Sequence, residues 1–388
     1  MKVIVCHNFY AFPGGEDQVY RDETWLLEQH GHEVIRFEKR NAEIDRMNKF
    51  DVARSTIWNP QTHNELTSLV EKVQPNLIHF HNTFPLISSS GLSAAKLRSV
   101  PVVQTLHNFR AICPGATLYR KSKICDRCIG KKFPWPSVMH GCYRKSRLMS
   151  GILSMGNAAN FLRGTWRKDV DQFIALTRHS RDIFIRGGID ENKISVKPNF
   201  VQSDPGLKKS DGKGAIFVGR LSPEKGLDVL LEAWMQHNPN TELTIVGDGP
   251  LRDKVNSASI SCSQISYRGQ LPFGEVLQKI RESSMLIMPS VWFETFGRTT
   301  IEAFATGTPV IASKLGAMQE LVTHGVTGLH FEPGCAKDLV DKVHLLASSD
   351  ELRKKIGDRA RIEYEKKYSP EKNYDLLMSI YERAIRGQ

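Results

Sequence analysis

The chain has 388 residues, enough for two domains of ordinary size. Its 40% hydrophobic and 24% charged content is that of a globular protein. No run of about 18 apolar residues suggests a membrane span, and no repeat or low-complexity segment stands out. The net charge of +11 is uneven: residues 96–200 carry 20 Lys and Arg against 6 Asp and Glu, so this third of the chain holds the whole excess. Such a segment attracts polyanions, whether nucleic acid, anionic lipid headgroups or a phosphorylated acceptor.

The opening stretch MKVIVCHNFY lacks a long apolar region and a small-residue cleavage site, and reads as a first strand. The expected compartment is therefore the cytoplasm, with reduced cysteines. Strand-like runs are expected at Val3–His7, Glu33–Phe37, Leu77–Phe80, Val102–Thr105, Phe173–Leu176 and Ser195–Lys197. After a break they resume at Gly214–Val218, Leu243–Val246, Ile265–Tyr267, Met285–Met288 and Val310–Ala312. Helical periodicity fills gaps between them, as in Asp17–His30, Glu65–Val73 and Leu227–Gln236. This alternation predicts parallel sheets covered by helices on both faces. Lys197–Asp211 collects Pro, Asn, Ser, Gly and charge, the composition of a linker. The expected domains are 1–200, with a cysteine-rich insert at 111–147, then 201–368, then a terminal segment 369–388. A last helix is expected at Pro370–Arg386, with Ser369 as its N-cap.

Along this scaffold, Phe12-Pro13-Gly14-Gly15-Glu16-Asp17 joins the first strand to a helix. A Gly pair there lets backbone amides approach a phosphate, and the two acids favour the helix N-terminus but would repel a phosphate placed too close. His79 and His81 alternate along a strand and share a face, which suits either an acceptor pocket or a structural role. His107 ends the next strand. Asp169-Val170-Asp171 spells a carboxylate pair used by metal-dependent transferases, but groups two apart on a helix do not converge.

Between these lie Cys113, Cys125, Cys128 and Cys142, with Cys125 and Cys128 in a C-x-x-C spacing. Four thiolates suit a structural zinc ion, which would order a segment too poor in apolar residues to form a core. Arg120, Lys121, Lys123 and Arg127 would offset the negative site, and His140 is an alternative ligand. An unligated reduced loop, a disulfide or an iron–sulfur site are the other readings.

In the second half, Phe217-Val218-Gly219-Arg220-Leu221 ends a strand and Ser222-Pro223-Glu224-Lys225-Gly226 opens a helix. Ligands of open α/β sheets bind at that strand edge, and Arg220 with Lys225 suits a diphosphate. Gly249, in a turn after the strand Leu243–Val246, and Gly269, after Ile265–Tyr267, would allow close backbone approach. Pro289–Ser313 then sets Glu294 and Glu302 eight positions apart, one in a loop and one inside a short helix. The helix N-terminus is an anion site and the carboxylates suit sugar hydroxyls.

These motifs, G-R-L-x-x-x-K-G at 219–226 and Glu-seven residues-Glu at 294–302 with the following Thr-Gly-Thr-Pro-Val-Ile-Ala-Ser, resemble those of the retaining glycosyltransferases of family 4 (group 1). The resemblance implies the GT-B fold: two Rossmann-like doubly wound domains facing across a cleft, the C-terminal helix returning to the first. It implies that Arg220 and Lys225 hold the donor diphosphate, Gly14 and Gly15 face it, and Gly219, Gly249 and Gly269 shape the nucleotide loops. Glu294 would bind sugar hydroxyls, Phe296 and Gly297 would lend amides, and Glu302 would hold the ribose. His107 would lie beside the donor sugar. No side chain is placed as a nucleophile, so Glu294, His107, Arg220 and Lys225 are the expected catalytic group, with no cofactor for catalysis and a structural zinc as the one metal. Arg298 stands where the family often has a smaller uncharged residue, and its role is open.

The expected activity is transfer of a hexose-type sugar from a UDP- or GDP-type donor to an acceptor hydroxyl, in cell-surface polysaccharide or glycolipid synthesis. The basic middle segment, with Arg144-Lys145-Ser146-Arg147 and the mildly apolar Leu148–Met155, adds reversible contact with anionic membrane at its inner face and a saccharide or lipid-linked acceptor. Rivals are a sugar-nucleotide epimerase of the same fold and a zinc-bearing nucleic-acid module. The second leaves the 219–226 and 294–302 motifs unexplained, so no nucleic-acid partner is expected.

Overall fold

The computed structural model describes residues 1–11, 14–208 and 210–387. They form two compact units. The first unit holds residues 1–118, 125–199 and 373–388; the second holds 119–124 and 200–372.

The sheet of the first unit is built from β1 (Lys2–Phe9), β2 (Glu33–Arg40), β3 (Leu77–Phe80), β4 (Val102–Leu106), β7 (Gln172–Ala175) and β8 (Ile194–Val196). The intervening β5 (Tyr119–Arg120) and β6 (Lys123–Ile124) form a separate antiparallel hairpin. Lys121 and Ser122, at the hairpin turn, both have positive φ, as a primed turn requires. The six-stranded sheet is parallel throughout, in the order β2-β1-β3-β4-β7-β8. Its central strands are buried along their length, because helices cover both faces.

The terminal helix Pro370–Arg386 does return to the first unit. Leu377, Ile380, Tyr381 and Ala384 join the core of Val3, Val5, Tyr20 and Leu77. Lys372 N donates to Ser369 Oγ, the expected cap.

The second sheet runs β11 (Ile265–Tyr267), β10 (Leu243–Val246), β9 (Ala215–Val218), β12 (Met285–Met288), β13 (Val310–Ser313), β14 (Gly328–Phe331), again all parallel. The order reverses between β9 and β12, which pair Met285 with Ala215 and Leu286 with Ile216. That reversal opens a crevice at the C-terminal ends of β9 and β12. The core on one side of the sheet is Phe217, Trp234, Ile245, Ile287 and Leu339, all 0–2% exposed.

Three local expectations change. The segment 222–226 does not open a helix directly. Pro223–Lys225 is a single 3-10 turn, Gly226 follows at φ 75°, and the helix begins at Leu227. A Cβ on Gly226 would sit 1.8 Å from the Pro289 carbonyl oxygen, so only glycine fits. Strand β14 was not expected, because its GLHF lacks a run of β-branched residues. The first strand is longer than Val3–His7 at both ends, since Asn8 and Phe9 continue the pairing with β2.

Candidate active site

The second unit brings three of the expected donor residues, Arg220, Lys225 and Glu294, to the sheet reversal. Lys225 lies in the turn after β9, and Glu294 in the loop after β12. Lys225 Nζ is 2.7 Å from Glu294 Oε1, and Ser290 Oγ donates to the same oxygen at 2.7 Å. Ser313 Oγ donates to the Ser290 carbonyl at 2.6 Å, which ties this loop to β13. Burial of Glu294 (5% exposed) pushes its pKa up, but the Lys225 charge and the hydrogen bonds from Lys225 and Ser290 outweigh it. The net shift is downward, so Glu294 is a carboxylate. The Lys225 ammonium also faces the Trp292 ring, 5.5 Å from its centroid. Arg220 is exposed at the end of β9 and, among the described residues, forms no ion pair.

The helix Arg298–Thr306 starts behind Glu294 with Gly297 as N-cap, at φ 97° and without a side-chain cap. A Cβ on Gly297 would meet Met318 Cε at 2.2 Å. Phe296 is buried against Tyr368, which fixes the turn into the helix. Glu302, one turn further in, is buried and accepts a hydrogen bond from Arg298 Nε at 2.8 Å. Burial raises its pKa, and Arg298 opposes that shift without reversing it. Arg298 therefore has a partner that the sequence did not reveal, although an i,i+4 Arg–Glu pair in a helix is a readable signal. The other expected loops meet nearby: Gly219 N donates to Val246 O, Leu221 N to Asp248 O and Gly247 N to Gly269 O. The 219–221, 247–249 and 269 segments thus form one connected rim.

In the first unit, the helix Gly15–Gln29 begins at the exposed Gly14 and Gly15. Phe12 and Pro13, from the same expected loop, lie outside the described residues. Asp17 does not face outward. It accepts from Gly14 N at 2.9 Å and lies 2.7 Å from His7 Nε2. Glu16 accepts from Asn108 Nδ2 at 3.3 Å, and its pKa is pushed up to about 7 by burial and the Asp17 charge. The repulsion expected of these two acids is thereby reduced, since one is turned into the core and the other is half-protonated near neutrality.

His107, at the end of β4, has its Nε2 3.0 Å from His81 Nδ1, and the two rings stack. His81 Nε2 is 3.5 Å from Glu23 Oε2, and Lys197 Nζ is 2.5 Å from Glu23 Oε1. Burial holds both His81 and His107 well below the usual histidine range, so both are neutral. With both rings neutral, one of the two facing nitrogens donates and the other accepts, so the pair shares a single proton. Sequence reasoning missed Glu23 and Lys197; a lone Lys at the end of an apolar strand was the available signal. A cavity of about 100 Å³ opens beside this pair, lined by His107, Asn82, Phe84, Gln104, Arg110 and Asn157 among others. His81 lines it too, whereas His79 is committed to Tyr381 and Thr105 at 2.8 Å each.

Among the described residues, Glu23, His79 and His81 are the group of His, Cys, Asp or Glu whose ligand atoms lie within 4.8 Å of one another. The Lys197 ammonium is paired with Glu23 Oε1, and both nitrogens of His79 are engaged by Tyr381 and Thr105, while Glu23 Oε2 and His81 Nε2 face one another at 3.5 Å. The four expected zinc ligands lie in the first unit as free thiols, without three sulfurs so close together. Asp171 accepts from Lys96 Nζ and Val102 N at 2.8 and 2.9 Å, a structural use that leaves no carboxylate pair with Asp169.

Both sheets carry their clustered polar groups at strand ends. A model described as "Glycosyltransferase Family 4" matches residues 13–204, and one described as "Glycosyl transferases group 1" matches residues 200–363. The uncharacterised glycosyltransferase MJ1178 of Methanocaldococcus jannaschii is 28% identical over 331 residues, covering 82% of this chain and 86% of that protein. The sulfoquinovosyl transferase SQD2 of Arabidopsis thaliana is 27% identical over 78% of this chain but only 55% of its own length. A phosphatidyl-myo-inositol mannosyltransferase of Mycobacterium leprae is 25% identical over 84% and 78%. The fold is also that of Anabaena Alr3699/HepE, solved in complex with UDP, with a TM-score of 0.68 at 18% identity and coverage of 98% and 100%. Matched on both of its units, the chain is an enzyme with the GT-B fold and belongs to the group 1, family 4 glycosyltransferases.

Proposed function

We propose that this glycosyltransferase moves a hexose-type sugar from a UDP-type donor to an acceptor hydroxyl with retention of configuration. The observation that carries the reading is the Lys225–Glu294 pair at the β9/β12 reversal, with Arg220 exposed beside it. A bound diphosphate would take Arg220 and Lys225 as its cations, and the amides at the start of Arg298–Thr306 would add their dipole. In the reaction the bond from the anomeric carbon to the phosphate oxygen breaks. The acceptor oxygen bonds to that carbon from the same face, and its proton passes to the leaving phosphate. Charge developing on that phosphate is what Arg220 and Lys225 stabilise. UDP as the donor base is supported by HepE, whose structures hold UDP and UDP-glucose.

A lipid-linked acceptor at the inner face of a membrane completes the proposal. On the helix Arg147–Arg163, Leu148, Met155 and Leu162 recur every seven residues and are 76%, 51% and 82% exposed. Arg144, Lys145 and Arg147 stand at one end of this stripe and Arg163 at the other. Apolar contact plus a few cations gives reversible association with anionic lipid. The M. leprae relative, a phosphatidyl-myo-inositol mannosyltransferase, supports a lipid acceptor of this kind.

Thermal shift with UDP, GDP and inorganic diphosphate tests the donor site. UDP should stabilise the wild-type protein, and Arg220→Ala should lose most of that gain. Absence of any nucleotide response, or an unchanged response in R220A, would sink the assignment. NMR of the product anomer tests retention: inversion would exclude it.

A further inference from the structure

We infer that Cys113, Cys125, Cys128 and Cys142 form a tetrathiolate zinc site that fixes the conformation of the 113–145 segment. The site does no chemistry, so the inference stands apart from the donor and acceptor readings.

The fold brings the two ends of the segment together although they span 30 positions. A Cβ on Gly115 would touch Cys113 Sγ at 3.8 Å and Cys142 Cβ at 3.5 Å, so Cys113 and Cys142 meet there. Ala116 N donates to Cys113 O and Cys125 N to Leu118 O, both at 2.8 Å, which sets the C-x-x-C turn beside the Cys113 loop, with Cys128 buried. Backbone amides of Gly115, Ala116 and Leu118 are directed at the Cys113 sulfur, and that of Ser137 at the Cys128 sulfur. Amides directed at a sulfur are the surroundings that a metal-bound thiolate needs, because they spread its charge. A divalent ion would supply the positive charge that four gathered thiolates require. His140 is not the fourth ligand, since its Nε2 is 3.2 Å from the Arg127 guanidinium.

A second observation points the same way. Among the described residues, six of the eleven non-glycine positions with positive φ fall in this one segment: Ala116, Leu118, Lys121, Ser122, Arg144 and Lys145. Such conformations persist only where the surroundings over-determine them. Apolar packing holds Ala116 and Leu118, which are buried, but it does not order the rest of the segment, where Ile124, Phe133, Trp135 and Met139 are 39–58% exposed. A tetrahedral ion bound to four points along the segment supplies the missing constraint. No three of these sulfurs lie within 4.8 Å of one another, so zinc binding requires the loop to draw them together.

The test uses the full chain, purified with a reducing agent and without chelator, then equilibrated with zinc sulfate and desalted. Elemental analysis should find about one zinc per chain, and Cys125→Ser/Cys128→Ser should remove it. Limited proteolysis should cut the double variant, or chelator-treated wild type, within 113–145 while the rest of the chain stays intact. Cobalt(II) in place of zinc should give the intense d–d absorption of tetrahedral thiolate. Wild type without zinc, zinc retained by the double variant, iron with sulfide instead of zinc, or a Cys125–Cys128 disulfide under reducing conditions would each overturn the inference.

Discussion

Replacing Lys225 by Met tests the logic of the donor site through stability rather than activity. At 2.7 Å the Lys225–Glu294 attraction is about 6 kcal/mol for an effective dielectric constant near 20. Much of this offsets the cost of burying Glu294, so the net worth of the pair is far smaller. Removing one partner from a buried pair costs about 3–5 kcal/mol, because the other charge is left behind. The Lys225 side chain is 23% exposed, so water partly replaces it and the lower end, about 3 kcal/mol, applies. For a unit of this size that is a fall in Tm of roughly 6–12 °C. Glu294→Gln removes the buried charge and releases Lys225 to solvent, at a cost of about 1 kcal/mol. The double variant should therefore be more stable than Lys225→Met alone, a coupling of roughly 2 kcal/mol.

The sign with pH follows. In the wild type Glu294 titrates below its ordinary range, so its contribution is present above the unfolded pKa and is lost as pH falls. Without Lys225, burial dominates and the folded pKa rises above the unfolded one. The deficit of Lys225→Met is then largest at pH 8 and shrinks toward pH 5, as Glu294 gains a proton. Thermal unfolding by circular dichroism at both pH values measures it, alongside transfer rate. All three variants should lose at least about 100-fold in rate. The reasoning fails if Lys225→Met melts within about 2 °C of wild type at pH 8, or if the double variant is no more stable than the single.

Two further outcomes are expected in the first unit. Glu16, raised to about 7 by burial and Asp17 against the opposing Tyr10 hydrogen bond, Arg110 charge and Asn108 hydrogen bond, holds a proton in the folded state that the unfolded chain has released. Stability is therefore lost as pH rises from about 4.5 to 7, by up to about 3 kcal/mol. Glu16→Gln should leave Tm unchanged near pH 4.5 and raise it at pH 8; an equal shift at both values counts against this. His81→Phe removes the hydrogen-bond partner of His107 Nε2, so it should lower kcat roughly tenfold with donor KM nearly unchanged. A change confined to KM would mean that His81 shapes binding only.

Most of the scaffold was legible because its strands are buried parallel runs, which leave nearly continuous apolar stretches such as LTIV and MLIM. The misses share a physical cause. GLHF in β14 is buried by its neighbours and not by its own composition. The turn at Pro223–Gly226 depends on the approach of Pro289, 63 positions away, and no local pattern announces such a contact. The expected donor residues stood out as types and spacings, but their partners did not. Ser290 on Glu294, Arg298 on Glu302 and Glu23 beneath His81 are side-chain geometry, fixed only when sheet and helix meet.

That geometry separates two carboxylates which look equivalent in the sequence. Both Glu294 and Glu302 are almost fully buried, so desolvation acts on both. Glu294 receives an ammonium and a hydroxyl on one oxygen and ends up more acidic than usual. Glu302 receives one Arg298 Nε and ends up less acidic than usual. A hydroxyl donating a hydrogen bond gains most from the firmly ionised group, so in the proposed site the sugar hydroxyls belong at Glu294. At Glu302 an incoming diol would have to share the carboxylate with Arg298, or displace it. Arg298→Ala separates these cases. If Arg298 competes with the ribose, the variant binds UDP more tightly than wild type. If Arg298 keeps Glu302 ionised for the ribose, affinity falls, and it falls further as pH drops, because the burial-raised Glu302 takes up a proton.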